Sequence, residues 1–360
     1  MIKYQDILLI EPFSLTYDEK KALLDESLIA LTQQHYDHCD SYHRILDTLG
    51  VAPGEISNYE DIPFMPVRLF KELELLSIPK EEVFKTMTSS GTSGQAVSKI
   101  FLDRNTAANQ QKTLVKIVSS FTGSLRMPML IIDCPSVIKN RQMFSARGAG
   151  ILGFSIFGAD KTYALNDDMQ LNIDAIKMFL EKHSNQKILM FGFTFMVWQH
   201  FYKALLNKDE TLDFSNAILI HGGGWKKLEN EAVSHDQFNK YLKDVCGVAQ
   251  VYNYYGMVEQ TGCIYMECEY GHLHASIFSD VIIRNPMDFR PCKIGETGII
   301  QVVSMLPESY PGHSLLTEDE GVLLGIDDCL CGRKGKYFMI YGRLKNAEVR
   351  GCSDTYATQF

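Results

Sequence analysis

Between residues 129 and 254 the chain alternates short, unbroken apolar runs with longer amphipathic stretches, and few folds absorb that pattern. The runs at 129–133, 187–191, 217–220 and 250–254 have the length of strands buried on both faces. The stretches 168–183 and 234–245 carry apolar residues at helical spacing. Buried strands alternating with helices predict an α/β architecture with mostly parallel sheets flanked by helices. From Cys263 onward the strands shorten, as at 280–284, 298–304 and 337–341, which predicts a smaller β-rich lobe. Ahead of these elements, Thr16-Tyr17-Asp18-Glu19 has capping-box spacing, and Leu23, Leu24, Leu28 and Leu31 follow on one helical face. The proline pair around Phe64 breaks regular structure before a short helix at 68–76.

At 360 residues the chain exceeds what a single core comfortably covers, so sub-lobes or two domains are expected. The pattern divides it into an α/β part at 1–262, a β-rich lobe at 263–343, and a hinge with tail at 344–360. A formal charge of −9 argues against general binding to nucleic acid or to a membrane surface. No run approaches the ~18 apolar residues of a spanning helix. The N-terminus has no basic segment followed by an apolar run, and nine irregularly spaced cysteines then fit reduced thiols in the cytoplasm.

Three segments carry phosphate and nucleotide chemistry. Thr88-Ser89-Ser90-Gly91-Thr92-Ser93-Gly94-Gln95 surrounds two glycines with hydroxyls. Glycines let backbone amides converge on an anion, and the hydroxyls add donors. A polar surface loop has the same composition, and the Walker pattern is absent. His221-Gly222-Gly223-Gly224-Trp225 follows a buried run, so its glycines fall where open α/β sheets bind ligands; a plain turn reads the same way. Tyr254-Tyr255-Gly256-Met257-Val258-Glu259 follows the next run, offering an aromatic face for a purine and a carboxylate for Mg²⁺.

In this order the segments resemble the adenylate-forming superfamily. Ser89, Ser90, Gly91, Thr92, Ser93 and Gly94 resemble its phosphate loop, Gly222, Gly223 and Gly224 its adenine turn, and Tyr255, Gly256 and Glu259 its Tyr-Gly-x-x-Glu motif. Thr317-Glu318-Asp319 resembles the motif whose aspartate holds ribose, and Gly342-Arg343 the ribose contact before the hinge. The resemblance implies the superfamily's large domain with ATP and Mg²⁺ as cofactors, and a chain lacking the small C-terminal domain. Val258 stands where the family often has Thr, and Lys99 lies further from Gly94 than the family's loop lysine.

The truncation, Ile220-His221-Gly222-Gly223-Gly224-Trp225-Lys226 and Arg350-Gly351-Cys352 are similar to the acyl-protein synthetases of LuxE type, and more distantly to phenylacetate–CoA ligases. That resemblance implies activation of a carboxylic, fatty acid and transfer of its acyl group to Cys352. An acyl-CoA-reductase-like or acyl-carrier partner would then receive it. A thiolate is a suitable acceptor for a mixed anhydride, and Arg350 favours the thiolate while Glu348 opposes it. A carboxylate–CoA ligase and a non-catalytic nucleotide-binding subunit are the alternatives. Cys268, His272, His274, Cys329 and Cys331 form a second constellation, although Cys329-x-Cys331 is tighter than the usual zinc spacing. Resemblance to phenylacetate–CoA-ligase-like proteins implies Cys268, His274, Cys329 and Cys331 as ligands of a structural Zn²⁺. Residues 191–198, rich in aromatics, read as an acyl-pocket wall or as plain core.

Overall fold

The computed structural model describes residues 4–89, 97–138, 146–207 and 212–344. These pack as two compact units that interleave along the chain. One contains the described parts of 1–89, 94–121 and 256–349, and the other contains 122–255. The units therefore cut across the linear division at 262/263.

The second unit is built on a wholly parallel sheet. Its strands lie in the order Gln250–Tyr255, Ala217–Gly222, Ile188–Phe193, Met127–Ile131 and Gly158–Tyr163. Every residue of the three central strands is buried, which is why they read as continuous apolar runs. The edge strand Gly158–Tyr163 alternates polar residues and is half-exposed. Helix His235–Cys246 starts at a capping box, with Ser234 and Gln237 bonding reciprocally, and stops at Gly247 with φ 79°. The expected helix at 168–183 begins only at Ile173, because Asn166 accepts from the Asp168 and Gln170 amides and holds a turn ahead of it.

In the first unit an antiparallel sheet runs Ser279–Arg284, Thr297–Ser304, Ser314–Ile326, Lys336–Arg343, Leu273–His274 and Tyr265–Glu267. The expectation that strands shorten after Cys263 fails at Ser314–Ile326, which has 13 residues. Its polar stretch 317–320 and register shifts near Gly321 and Gly325 break the apolar pattern while the ladder continues. The short helix expected at 68–76 covers only Leu69–Glu72. Helix Tyr17–His38 begins as its capping residues require, with Glu19 Oε2 accepting from the Thr16 amide at 2.9 Å and hydroxyl at 2.7 Å. No described helix is long and apolar enough to cross a membrane.

That helix is anchored by buried charge. Lys20 Nζ lies 3.0 Å from Asp280 Oδ1, and Lys336 Nζ lies 2.7 Å from Glu60 Oε1 and 3.3 Å from Asp280 Oδ2. Tyr59 donates its hydroxyl to the same Asp280 carboxylate. Burial alone would raise the Asp280 pKa, but Lys20 and Lys336 outweigh it and hold the carboxyl below its ordinary range. A depressed carboxylate stabilises the fold above its unfolded pKa, and that stability is lost only as pH falls through the folded value. Asp280→Ala leaves two buried ammonium groups short of a partner. It is expected to cost about 3–5 kcal/mol in urea unfolding at neutral pH; an unchanged midpoint would mean that the lysines find water instead.

Candidate functional site

Two strands of the first unit flank the phosphate-loop segment in sequence and form an antiparallel pair. Lys85–Thr88 pairs with Lys99–Leu102, with Thr88 opposite Lys99. The next step is closed by side chain and backbone together: the Ser89 amide donates to the Ser98 carbonyl at 3.1 Å, and the Ser98 amide donates to Ser89 Oγ at 2.9 Å. Lys99 is thus fixed at the end of this strand pair. Ser90, Gly91, Thr92, Ser93 and Gly94 lie outside the described residues.

In the second unit the glycine turn leaves the carboxyl end of a central strand, as its position after an apolar run predicts. A side chain at Gly222 would meet the Tyr254 ring at 2.6 Å and its carbonyl at 2.8 Å, so close approach of the neighbouring strand requires glycine there. Gly223 has φ 81°, and a Cβ on it would lie 2.6 Å from the Phe193 ring. Tyr254 belongs to an aromatic cluster: Phe154 stacks on Phe191 at 4.3 Å and tilts against Tyr254 at 5.1 Å. Phe191, Phe193, Val197 and Trp198 are buried here, in the segment that reads as an acyl-pocket wall or as plain core. The helix after Phe193 opens into a π-helical turn at Val197–Tyr202, a wider coil that is frequent at functional sites.

Tyr255 ends the strand Gln250–Tyr255 of the second unit, while Gly256, Glu259, Asp319 and Arg343 belong to the first. Glu259 sits in the 3₁₀ turn Val258–Gln260 and is 1% exposed. Its backbone is fixed from two sides: Tyr310 donates its hydroxyl to the Glu259 carbonyl at 2.9 Å, and Gln260 Nε2 donates to the carbonyls of Gly312 at 2.8 Å and Val302 at 3.2 Å. Asp319 and Arg343 are direct cross-strand partners, with Arg343 Nε 3.9 Å from Asp319 Oδ1. Thr317 Oγ1 donates to the Ile300 carbonyl and accepts the Asp319 amide, which sets the backbone that carries the carboxylate. Two residues named together from sequence therefore face each other across one ladder. Cys352 lies outside the described residues.

The thiols and imidazoles of the first unit converge. Cys268, His274, Cys329 and Cys331 offer ligand atoms that all lie within 4.8 Å of one another. Cys268 Sγ is 3.9 Å from Cys329 Sγ, and Cys331 Sγ is 3.3 Å from His274 Nε2. Tetrahedral zinc, with bonds of about 2.3 Å to sulfur and 2.0–2.1 Å to nitrogen, separates its ligand atoms by about 3.6–3.8 Å. The donor set therefore fits. Burial pushes the Cys268 thiol up to about 12 and the His274 imidazole down to about 3. The imidazole is thus in its ligand form, whereas binding a cation would release thiol protons. His272 Nδ1 lies 3.3 Å from Cys329 Sγ without joining the four, and Tyr337 stacks on both imidazoles. The tight Cys329-x-Cys331 spacing works because the other two ligands come from a separate hairpin, 268–274.

Sequence reasoning missed two buried polar groups at the strand ends of the second unit. Asp133 follows Met127–Ile131 and pairs with Arg147, Nε to Oδ2 at 3.0 Å and Nη2 to Oδ1 at 3.1 Å. Burial still raises the Asp133 pKa despite that partner. Thr194 follows Ile188–Phe193 and bonds to His221 and Gly222. Neither pair has a spacing signal, because the partners come from separate elements; only the rule that ligands gather at strand carboxyl ends points there.

The long-chain-fatty-acid–luciferin-component ligase of Vibrio harveyi is 22% identical over 374 residues, covering 97% of this chain and 91% of the relative. The phenylacetate-coenzyme A ligase of Thermus thermophilus is 33% identical over 88 residues, 23% of this chain and 20% of that one. A crystal structure of 2-hydroxyisobutyryl-CoA ligase, in complex with 2-HIB-AMP and CoA, superposes with a TM-score of 0.68 at 15% identity, covering 93% of this chain and 77% of the other. The fold is that of the large domain of adenylate-forming enzymes. The family described as acyl-protein synthetase, LuxE, matches residues 3–360, and the chain belongs to that family.

Proposed function

We propose that this chain activates a fatty acid as its acyl adenylate and passes the acyl group to the thiol of Cys352. The observation that carries this reading is the family match along the whole chain. In the first step a carboxylate oxygen attacks the α-phosphorus of ATP, and the bond to pyrophosphate breaks. In the second, the Cys352 thiolate attacks the acyl carbon and AMP leaves with the bonding pair. Ser89, Ser90, Gly91, Thr92, Ser93 and Gly94 would cradle phosphate. Gly222, Gly223, Gly224, Tyr255 and Gly256 would hold adenine, and Asp319 with Arg343 the ribose. Glu259 would hold Mg²⁺, whose charge offsets that of the phosphates. The buried aromatics of 191–198 would wall the acyl chain. An acyl-CoA-reductase-like or acyl-carrier partner would take the thioester in turn, in the cytoplasm; the eight described cysteines are all unpaired, consistent with a reducing compartment.

Acid-dependent ATP–pyrophosphate exchange, run over a panel of carboxylic acids by chain length, tests the reading. Exchange that rises with fatty acids and requires Mg²⁺ supports it. No exchange with any acid would leave a non-catalytic nucleotide-binding subunit, and free acyl-CoA made from added CoA would move the acceptor from Cys352 to the cofactor.

For Cys268, His274, Cys329 and Cys331 we propose a structural Zn²⁺, supported by the ligand distances and by a closed set with no open position for substrate. Purified protein is expected to carry about one zinc per chain by elemental analysis. Cys329→Ser or Cys331→Ser should lower the melting temperature while exchange persists. Metal-free protein with an unchanged melting temperature in both variants would eliminate the site.

A further inference from the structure

The strands Ile188–Phe193 and Ala217–Gly222 run parallel, with Gly192 opposite His221 and Phe193 opposite Gly222. Thr194, the first residue past that register, is buried. Its Oγ1 lies 2.9 Å from His221 Nδ1 and 3.1 Å from the carbonyl oxygen of Gly222. Proton accounting leaves one arrangement. A carbonyl oxygen can only accept, so the single Thr194 proton goes to Gly222. The hydroxyl then has only acceptor capacity left, so His221 Nδ1 must carry a proton and donate it. Burial, and secondarily His235, push the His221 pKa down to about 3, so the ring is neutral and Nε2 is bare. The ring is packed against Phe238, with centroids 4.6 Å apart.

Just past the Gly222 carbonyl the backbone turns to φ 81° at Gly223 and 70° at Gly224. Two consecutive residues thus govern the turn: Thr194 bonds its root, and Phe193 fills the space beside its apex. We propose that Thr194 is a positioning residue for a purine nucleotide, its hydroxyl relaying a hydrogen bond from His221 to the Gly222 carbonyl and so fixing the peptide plane from which the glycine turn meets the base. This rests on the reading of 222–224 as the adenine-binding turn.

Thr194→Val keeps the branched shape and removes the relay, while Thr194→Ser restores the hydroxyl. In pyrophosphate exchange T194V is expected to raise KM for ATP about tenfold, the equivalent of one hydrogen bond, with kcat and KM for the acid changed less than about threefold. T194S should stay within about twofold of wild type. A merely structural threonine would lower the melting temperature without this split. Equal ATP KM in T194V and wild type overturns the relay and leaves the adenylation reading standing. Wild-type protein that neither exchanges pyrophosphate nor binds ATP overturns both. Should T194V not fold, ¹⁵N imidazole shifts of His221 in the wild type decide, assigned with His221→Asn. A proton on Nδ1 whose resonance moves on adding ATP supports the proposal, and a proton on Nε2, or no movement at saturating ATP, overturns it.

Discussion

Replacing Glu259 by alanine is expected to lower acid-dependent pyrophosphate exchange by on the order of a hundredfold or more, with Glu259→Gln nearly as impaired. The carboxylate is a hard oxygen donor of the kind Mg²⁺ prefers, and glutamine keeps the volume but not the charge. Position matters as much as charge. The turn is clamped by the Tyr310 hydroxyl and the Gln260 side chain, so the carboxylate stands on a backbone with little freedom. The clamp's hydrogen bonds end on backbone carbonyls, so the variants keep the groups that make them. A melting temperature near that of wild type with exchange lost would assign the residue to chemistry. Normal exchange in E259A would remove it from the mechanism.

The second large effect is a separation of activation from transfer. With ATP and a radiolabelled fatty acid, wild-type protein is expected to hold label that hydroxylamine releases. Cys352→Ala should hold essentially none, yet exchange pyrophosphate within about twofold of wild type. The other cysteines are poor acceptors on physical grounds. Burial pushes the Cys246 thiol up to about 11 and Cys263 up to about 12. At pKa 11 roughly one thiol in ten thousand is ionised at pH 7. Cys39 and Cys134 are buried, partial burial with Glu296 and Asp288 nearby raises the Cys292 thiol, and Cys268, Cys329 and Cys331 belong to the metal-fitting cluster. Label that persists in C352A and maps to Cys246 or Cys263 would refute the tail acceptor.

The parallel sheet is legible in the sequence because burial on both faces leaves unbroken apolar runs, and strands 188–193 and 217–222 extend only a residue or two beyond those runs. Strand Ser314–Ile326 is not legible, because its polar centre, Thr317-Glu318-Asp319-Glu320, interrupts the apolar pattern. Lys20 is equally hidden. Within an amphipathic helix it reads as a solvated lysine, and its burial depends on Asp280, 260 positions away. The Thr194 relay escapes for the same reason: a threonine beside aromatics signals nothing until the neighbouring strand's register places His221 and Gly222 against it. Motifs that are contiguous along the chain survive as text; those assembled from separate elements do not.

The interleaving of the two units sets an order for synthesis. The described residues of the second unit all fall in the single stretch 122–255, so that part of it can close once this stretch has emerged from the ribosome. The other unit waits. Tyr17 bonds to Asp327 and Lys20 to Asp280, so the N-terminal helix lacks its partners until most of the protein has been translated. At about 5–20 residues per second, the stretch from 256 to 349 takes roughly 5–20 s to make. Throughout that interval a helix carrying Leu23, Leu24, Leu28 and Leu31 has no sheet to cover it. A nascent chain arrested near residue 255 is therefore the species in which a chaperone that grips apolar helices would find its target.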